Sequence, residues 1–63
     1  MTFEQAIEAV HRGQRVTRRA WPTLVYITAY EGRVWHHVCR GRQCYMETAE
    51  DIAATDWYIG GRA

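Results

Sequence analysis

The residues best suited to bind a ligand are the arginines that precede Trp21. Arg15, Arg18 and Arg19 all lie within the six residues before the indole. Arginines next to an aromatic ring can hold a phosphate while the ring stacks on a base, as in nucleotide-binding and single-strand-binding proteins. The alternative is a solvated strand edge, where charge discourages pairing with other chains. Composition by itself favours that alternative.

Catalytic signatures are mostly missing from the chain. It contains no serine, which excludes a Ser-His-Asp hydrolase. His37 and Cys39 share a face of a predicted strand, but no residue pattern orients the histidine or builds an oxyanion hole. We therefore expect a protein that is not an enzyme and that uses no cofactor.

Four residues with metal-ligating side chains lie close together in the sequence: His36, His37, Cys39 and Cys44. Adjacent strand residues point to opposite faces, so at most three of the four converge, and the spacing lacks the paired knuckles of a zinc site. The two cysteines flank a predicted turn, and a disulfide between them is geometrically conceivable. No secretory signal accompanies them, so we expect reduced thiols and no metal.

Length and composition predict one small domain over residues 1–63. The chain is 48% hydrophobic and 24% charged, which excludes a disordered tail or a low-complexity linker. Its net charge of +1 is not that of a general nucleic-acid binder. All eight basic residues are arginines, whose planar fork suits bidentate contacts to phosphate. The sequence has neither a membrane-spanning apolar run nor a signal peptide, so we expect a soluble, cytoplasmic protein without membrane contact.

The first element is an amphipathic helix over residues 2–12. Thr2 and Gln5 form a capping-box pattern at its start. Gly13 lies just past its end, where glycine is favoured. The apolar residues recur at helical spacing, which predicts one stripe that faces the core: Phe3, Ala6, Ile7 and Val10.

The remaining chain reads mainly as strands. Residues 23–30 and 33–39 form a predicted hairpin around Glu31-Gly32, with Tyr30 opposite Arg33. Further extended segments are expected at 15–21, 43–46 and 56–59, and a short helix or turn starts at Thr48. The predicted fold class is α+β: one N-terminal helix packed in two layers on an antiparallel sheet of three to five strands.

Successive side chains of the predicted hairpin point to opposite faces of the sheet, so the two faces carry different residues. One face is small and aliphatic, suited to cover by the helix: Val25, Ile27, Ala29, Val34, His36 and Val38. The opposite face has nothing obvious to cover it: Leu24, Tyr26, Thr28, Trp35, His37 and Cys39. An exposed apolar patch of this kind marks an interface or a binding surface, although an aromatic face without function is the alternative. We expect a homodimer or a homotetramer.

Two further patterns bracket the chain and resemble a phage and prophage domain. The head pattern matches the opening of that domain: Phe3-x2-Ala6-Ile7-x2-Val10-x2-Gly13-x2-Val16-x-Arg18-x2-Trp21. The tail pattern matches its closing segment: Thr48-x2-Asp51-Ile52-x-Ala54-x-Asp56-Trp57. Members of this domain include the second family of Thoeris anti-defence proteins. The chain looks like a shortened member, with the middle segment reduced to the hairpin around Glu31-Gly32.

The resemblance implies a function and a set of binding residues. Proteins of that family form homo-oligomers that sequester cyclic ADP-ribose-type immune signals, and some hold cyclic dinucleotides, in both cases without cleavage. Together with the uncovered sheet face, this predicts the following ligand-binding residues: Arg18, Trp21, Tyr26, Trp35 and Asp56. Arg18 and Trp21 are expected in the site or in the shell that shapes it. The competing structural account has Arg18 pair with Asp56 only to hold two strands together.

Two other functions remain open at this point. The first is a small phage inhibitor that docks on a host defence protein, such as a CRISPR effector, through the face of Tyr26 and Trp35. The second is a structural accessory protein of the virion. We expect the protein in the cytoplasm of the infected host cell.

Overall fold

The computed structural model of the protein describes residues 1–22 and 24–60. Within these ranges the elements follow in the order α1 (Phe3–His11), β1 (Val16–Arg18), β2 (Tyr26–Tyr30), β3 (Arg33–Val38), β4 (Gly41–Cys44), α2 (Ala49–Ala53) and β5 (Trp57–Ile59). The strands form a five-stranded antiparallel sheet in the order β4-β3-β2-β1-β5. Helix α1 packs on one face, so the predicted two-layer α+β fold is confirmed.

Helix α1 is one residue shorter at each end than the predicted range 2–12, because Thr2 and Arg12 are its caps. The Thr2 hydroxyl accepts a hydrogen bond from the Gln5 amide at 3.2 Å, and the Gln5 side chain accepts one from the Thr2 amide at 2.9 Å. This reciprocal pair satisfies two amides that the first helical turn leaves unpaired. After the helix, Gly13 adopts a φ of 91°, a conformation that other residues adopt only with strain.

The β2–β3 hairpin has the predicted register. Tyr30 lies opposite Arg33, and the ladder continues through to Tyr26 opposite His37. Both turn residues have positive φ, 51° at Glu31 and 77° at Gly32, as a type I′ turn requires. Glycine adopts this conformation freely, but glutamate does so only with backbone strain.

Strand β4 starts earlier than predicted, at Gly41 and not at Gln43. Only two residues lie between β3 and β4, and Gly41 pairs with Val38. Gly41 has a φ of 141°, which lets the chain reverse within this short connection. The register places Cys44 opposite Trp35 and not opposite Cys39. Both thiols are free and exposed, so the conceivable disulfide between them is not formed.

The core lies between α1 and the sheet. Its buried members come from the helix and from three neighbouring strands: Ala6, Ala9, Val10, Val16, Ile27 and Trp57. Ala29 and Val34 pack against this core, as predicted for the helix-facing side of the hairpin. Val25 is buried and Val38 is half-buried, but neither belongs to this core cluster.

An aromatic cluster extends this core along the sheet. The Trp21 ring centroid lies 4.9 Å from that of His36, 5.0 Å from that of Trp57 and 6.4 Å from that of Tyr45. His36 is half-buried, and its buried Nε2 atom has no hydrogen-bond partner among the described residues. Burial lowers the pKa of His36, although the negative charge of Asp51 opposes this effect. The folded protein therefore favours neutral His36.

The His36 environment predicts a specific pH dependence of stability. The unfolded chain takes up a proton near the ordinary pKa of 6.5, whereas the folded chain resists protonation until lower pH. The contribution of neutral His36 to the free energy of unfolding should be fully present above about pH 7. It should decrease as the pH falls below about 6.5. His36→Phe removes this titration and the unpaired nitrogen. Denaturant titrations of both proteins at several pH values between about 5 and 8 measure the effect. The variant should show the shallower decrease, and identical slopes would contradict the prediction.

Candidate ligand-binding site

Arg18, the last residue of β1, holds three parts of the fold together. Its Nε atom donates to Asp56 Oδ1 at 2.8 Å, and its Nη1 atom donates to Asp51 Oδ1 at 3.0 Å and to Glu50 Oε1 at 3.3 Å. The side chain is only 8% exposed. The guanidinium also lies 5.9 Å from the centre of the Trp57 ring. Arg18 therefore connects β1 to α2 and to the residue that precedes β5.

Asp51 is the buried anion at the centre of this network. It is 6% exposed and occupies the third position of α2, where it forms a capping box with Thr48. Its Oδ2 atom accepts a hydrogen bond from the Tyr45 hydroxyl at 2.8 Å. Its backbone carbonyl accepts one from Trp57 Nε1 at 3.1 Å. Burial and the Asp51 carboxylate raise the pKa of Tyr45 far above its ordinary value, so the phenol stays protonated.

Asp56, the residue before β5, binds to the end of β1 and to the chain that follows it. Besides the bond to Arg18, its Oδ2 atom accepts a hydrogen bond from the Ala20 amide at 3.1 Å. The Arg18 hydrogen bond lowers the pKa of Asp56 below its ordinary value. This interaction therefore stabilises the folded protein at neutral pH and is lost only as the pH falls through that lowered pKa.

This geometry separates the predicted ligand residues into two groups. Arg18, Trp21 and Asp56 lie on the helix side, and carboxylates already accept hydrogen bonds from the Nε and Nη1 atoms of Arg18. The arrangement agrees with the structural account of Arg18 and Asp56, and Trp21 packs among other aromatic rings. Tyr26 and Trp35 lie on the opposite side of the sheet. One protomer therefore does not bring the five residues together.

The opposite side, which we call the open face, carries the side chains of Tyr26, Thr28, Trp35, His37 and Arg42. The Tyr26 and His37 rings stack with centroids 4.5 Å apart and an interplanar angle of 8°. Thr28 Oγ1 lies 2.7 Å from His37 Nε2, so the two atoms share a hydrogen bond. Burial lowers the pKa of His37, and the nearby charges of Arg42 and Arg15 lower it further. The imidazole is therefore neutral at pH 7.

Two arginines lie over the rings of the open face. The Arg15 guanidinium carbon is 5.1 Å from the Tyr26 ring centre, and that of Arg42 is 4.9 Å from the Trp35 ring centre. Among residues 1–22 and 24–60, neither arginine forms an ion pair. Both guanidinium groups therefore lie over aromatic rings and have no carboxylate partner within the described ranges.

Two grooves run beside these arginines. The strand-end groove has a volume of about 410 Å³ and is lined by Leu24, Tyr26, His37, Val38, Cys39, Gly41 and Arg42. The hairpin groove has a volume of about 350 Å³ and is lined by Tyr30, Glu31, Arg33, Trp35 and Arg42. Arg42 contributes to both grooves. It was not among the predicted site residues, although it lies opposite His37 once β4 starts at Gly41.

Within the described part of the chain, no three His, Cys, Asp or Glu side chains are grouped as metal ligands. His36 and His37 point to opposite faces, as predicted, since one contacts Trp21 and the other stacks on Tyr26. None of the helices in the described ranges is long and apolar enough to cross a membrane.

The fold is that of a small α+β domain, and the head and tail patterns lie at the two ends of this domain. The model of the Thoeris anti-defense 2-like domain, Tad2-like, matches residues 1–60. The chain belongs to this family, as the sequence resemblance implied, and the membership supports a Thoeris anti-defence role. A search of the curated proteins finds no match to the chain.

The Arg18 network predicts that Arg18→Ala acts mainly on stability. The substitution leaves Asp51 buried without its cation, which costs about 3–5 kcal/mol when one partner of a buried pair is removed. For a domain of this size, thermal unfolding measured by circular dichroism should show a Tm lower by about 10 °C or more. Arg18→Lys should recover part of the loss, because the ammonium keeps the charge without the bidentate geometry.

Arg12→Ala is the matched control for this experiment. Arg12 pairs with Glu8 at 3.1 Å, but the two side chains are 72% and 69% exposed, so the Tm should stay close to that of the wild type. An Arg18→Ala variant that melts like the wild type but loses ligand binding would instead assign Arg18 to the ligand site.

Proposed function

We propose that the protein is a phage-encoded anti-defence protein that sequesters a cyclic ADP-ribose-type or cyclic-dinucleotide immune signal without cleaving it. The observation that carries this proposal is on the open face. Arg15 and Arg42 lie on aromatic rings, without ion pairs among the described residues, and Arg42 lines an apolar groove. Family membership supports the anti-defence role, and the open face supplies the chemistry for a nucleotide.

The two arginines that lie over rings are suited to phosphate. A guanidinium held over a ring loses less freedom when it binds, and its N–H groups remain available for phosphate oxygens. Contacts between a guanidinium and phosphate are charge-assisted and about twice as strong as neutral hydrogen bonds. We therefore assign the phosphates of the ligand to Arg42, with Arg15 as a second cation above Tyr26.

The strand-end groove is suited to a base. Leu24 and Val38 provide aliphatic contacts, and the Tyr26 and His37 rings provide aromatic surface. Neutral His37 adds no charge that would have to be desolvated when a base enters the groove. Each bound molecule is removed from solution, so the proposed mechanism is stoichiometric depletion of the free signal inside the infected cell.

Ligand recovery tests this function. The purified protein is incubated with cyclic ADP-ribose isomers and cyclic dinucleotides, separated from free ligand and then heated to release what it holds. We expect mass spectrometry to find one of these molecules intact. Turnover of the ligand would show an enzyme instead. Failure to retain any member of the panel would contradict the proposal and favour direct inhibition of a host defence protein.

Variants locate the site in the same assay. Arg42→Ala should weaken binding by about ten- to a hundred-fold, the loss expected for one charge-assisted contact. Arg42→Lys should recover only part of the affinity, because the ammonium lacks the planar fork. Arg12→Ala removes an arginine on the exposed side of α1 and should bind like the wild type. Equal affinities for Arg42→Ala and Arg12→Ala would contradict the assignment of the open face.

We also propose that the protein forms a homodimer or a homotetramer through the open face. Leu24 is 47% exposed and Tyr30 is 58% exposed, and no element among the described residues covers them. Two copies that meet face to face would bury these side chains and would enclose a ligand between their grooves. The assembly would have closed two-fold symmetry, in which each copy contributes the same surface.

Light scattering tests this assembly. We expect a mass of two or four chains at micromolar concentration, and a mass of 7.4 kDa would contradict the proposal. Tyr30→Glu should shift the protein toward monomer, because it places a charge in a desolvated contact. Ile52→Glu is the control: Ile52 is similarly exposed at 55%, but it lies on α2, outside the open face.

A further inference from the structure

We propose that the hairpin groove is the ribose and phosphate subsite and that Glu31 accepts hydrogen bonds from ribose hydroxyls. The protein would then distinguish a ribonucleotide ligand from its 2′-deoxy analogue. This inference rests on the proposed function, because it assigns the parts of a nucleotide-type ligand to the two grooves of the open face.

The lining of the hairpin groove supports this division. Glu31 lines it together with Arg33 and Arg42, yet among the described residues no ion pair forms between the carboxylate and either arginine. The two guanidinium groups suit phosphate oxygens. An ionised carboxylate can only accept hydrogen bonds, so the ligand group that it selects must donate. Ribose hydroxyls are the donors closest to the phosphates of a nucleotide, and acidic residues bind ribose hydroxyls in dinucleotide-binding folds.

The backbone gives a second, independent reason to examine Glu31. Its φ of 51° places it in the left-handed region, at a type I′ turn position where Asn, Asp or Gly is favoured. A glutamate at this position is strained, and strained residues cluster at functional sites. The turn would be more stable with Asn or Gly at this position, which favours a role of the Glu31 side chain in binding.

The two grooves have complementary linings. His37 lines the strand-end groove and Arg33 lines the hairpin groove, and the two residues are four positions apart on β3, or about 13 Å. Among the described residues, the lining of the strand-end groove contains no carboxylate, whereas that of the hairpin groove contains one carboxylate and two arginines. Arg42 borders both grooves. A cyclic ligand that places a base and its ribose in the first groove therefore brings its phosphates to Arg42. The second ribose, on the far side of the phosphates, then lies in the hairpin groove toward Glu31.

Glu31→Asn separates a binding role from a structural one. Asn followed by Gly is the preferred pair for a type I′ turn, so the Tm should stay the same or rise. Calorimetry should measure affinity for cyclic ADP-ribose and for 3′,3′-cyclic di-AMP, each with its 2′-deoxy analogue. We expect the wild type to prefer at least one ribose form by about ten-fold or more, the value of one charge-assisted hydrogen bond. The variant should lose most of this preference through weaker binding of the ribose form.

Glu47→Asn is the matched control, since it removes the same charge from an exposed residue that lines neither groove. It should keep the ribose preference of the wild type. The inference is overturned if the wild type binds ribose and deoxyribose forms equally, or if Glu31→Asn keeps the wild-type preference. A wild type that retains no member of the cyclic-nucleotide panel overturns the proposed function itself, and the subsite with it. Binding without ribose preference overturns the subsite alone.

Discussion

The buried guanidinium of Arg18 is the constraint on which the rest of the fold depends. A charge that is almost fully withdrawn from water is tolerated only when carboxylates surround it, and here Asp51 and Asp56 come from later parts of the chain. To reach Arg18, α2 has to pack beside β1, and β5 has to pair along its free edge. The position of Asp51 also fixes Tyr45 and Trp57 through hydrogen bonds. One side chain therefore sets the geometry of the helix side of the sheet.

The same distribution of charge explains why the open face is cationic. Asp51, Asp56 and Glu50 are all used around Arg18, on the helix side of the sheet. The net charge of +1 therefore hides a separation of charge across the sheet. Arg15 and Arg42 lie over aromatic rings of the open face, and neither forms an ion pair with another described residue. Such a face attracts anions more strongly than the overall composition suggests.

Much of this fold can be predicted from the sequence, because the signals are local. The capping box, the helical stripe and the Glu31-Gly32 turn fixed α1 and the hairpin register. The sequence was less informative about the site. It grouped Arg18 with Trp21 because they are neighbours in the chain. Strand alternation already placed Arg18 on the same face as buried Val16, away from Tyr26 and Trp35. Arg42 was missed because its face depends on the start of β4, which the turn at Gly41 sets.

The sheet order has a consequence for the order in which the two sides of the sheet form. Strand β1 pairs with β5, and the bond between Arg18 and Asp56 spans 38 residues. The β2–β3–β4 meander contains only local pairings, whereas the pairing of β1 with β5 closes a long loop. Contacts between residues that are close in the sequence cost less loop-closure entropy and form faster. The open face can therefore form before Arg18 meets its carboxylates and locks the helix side.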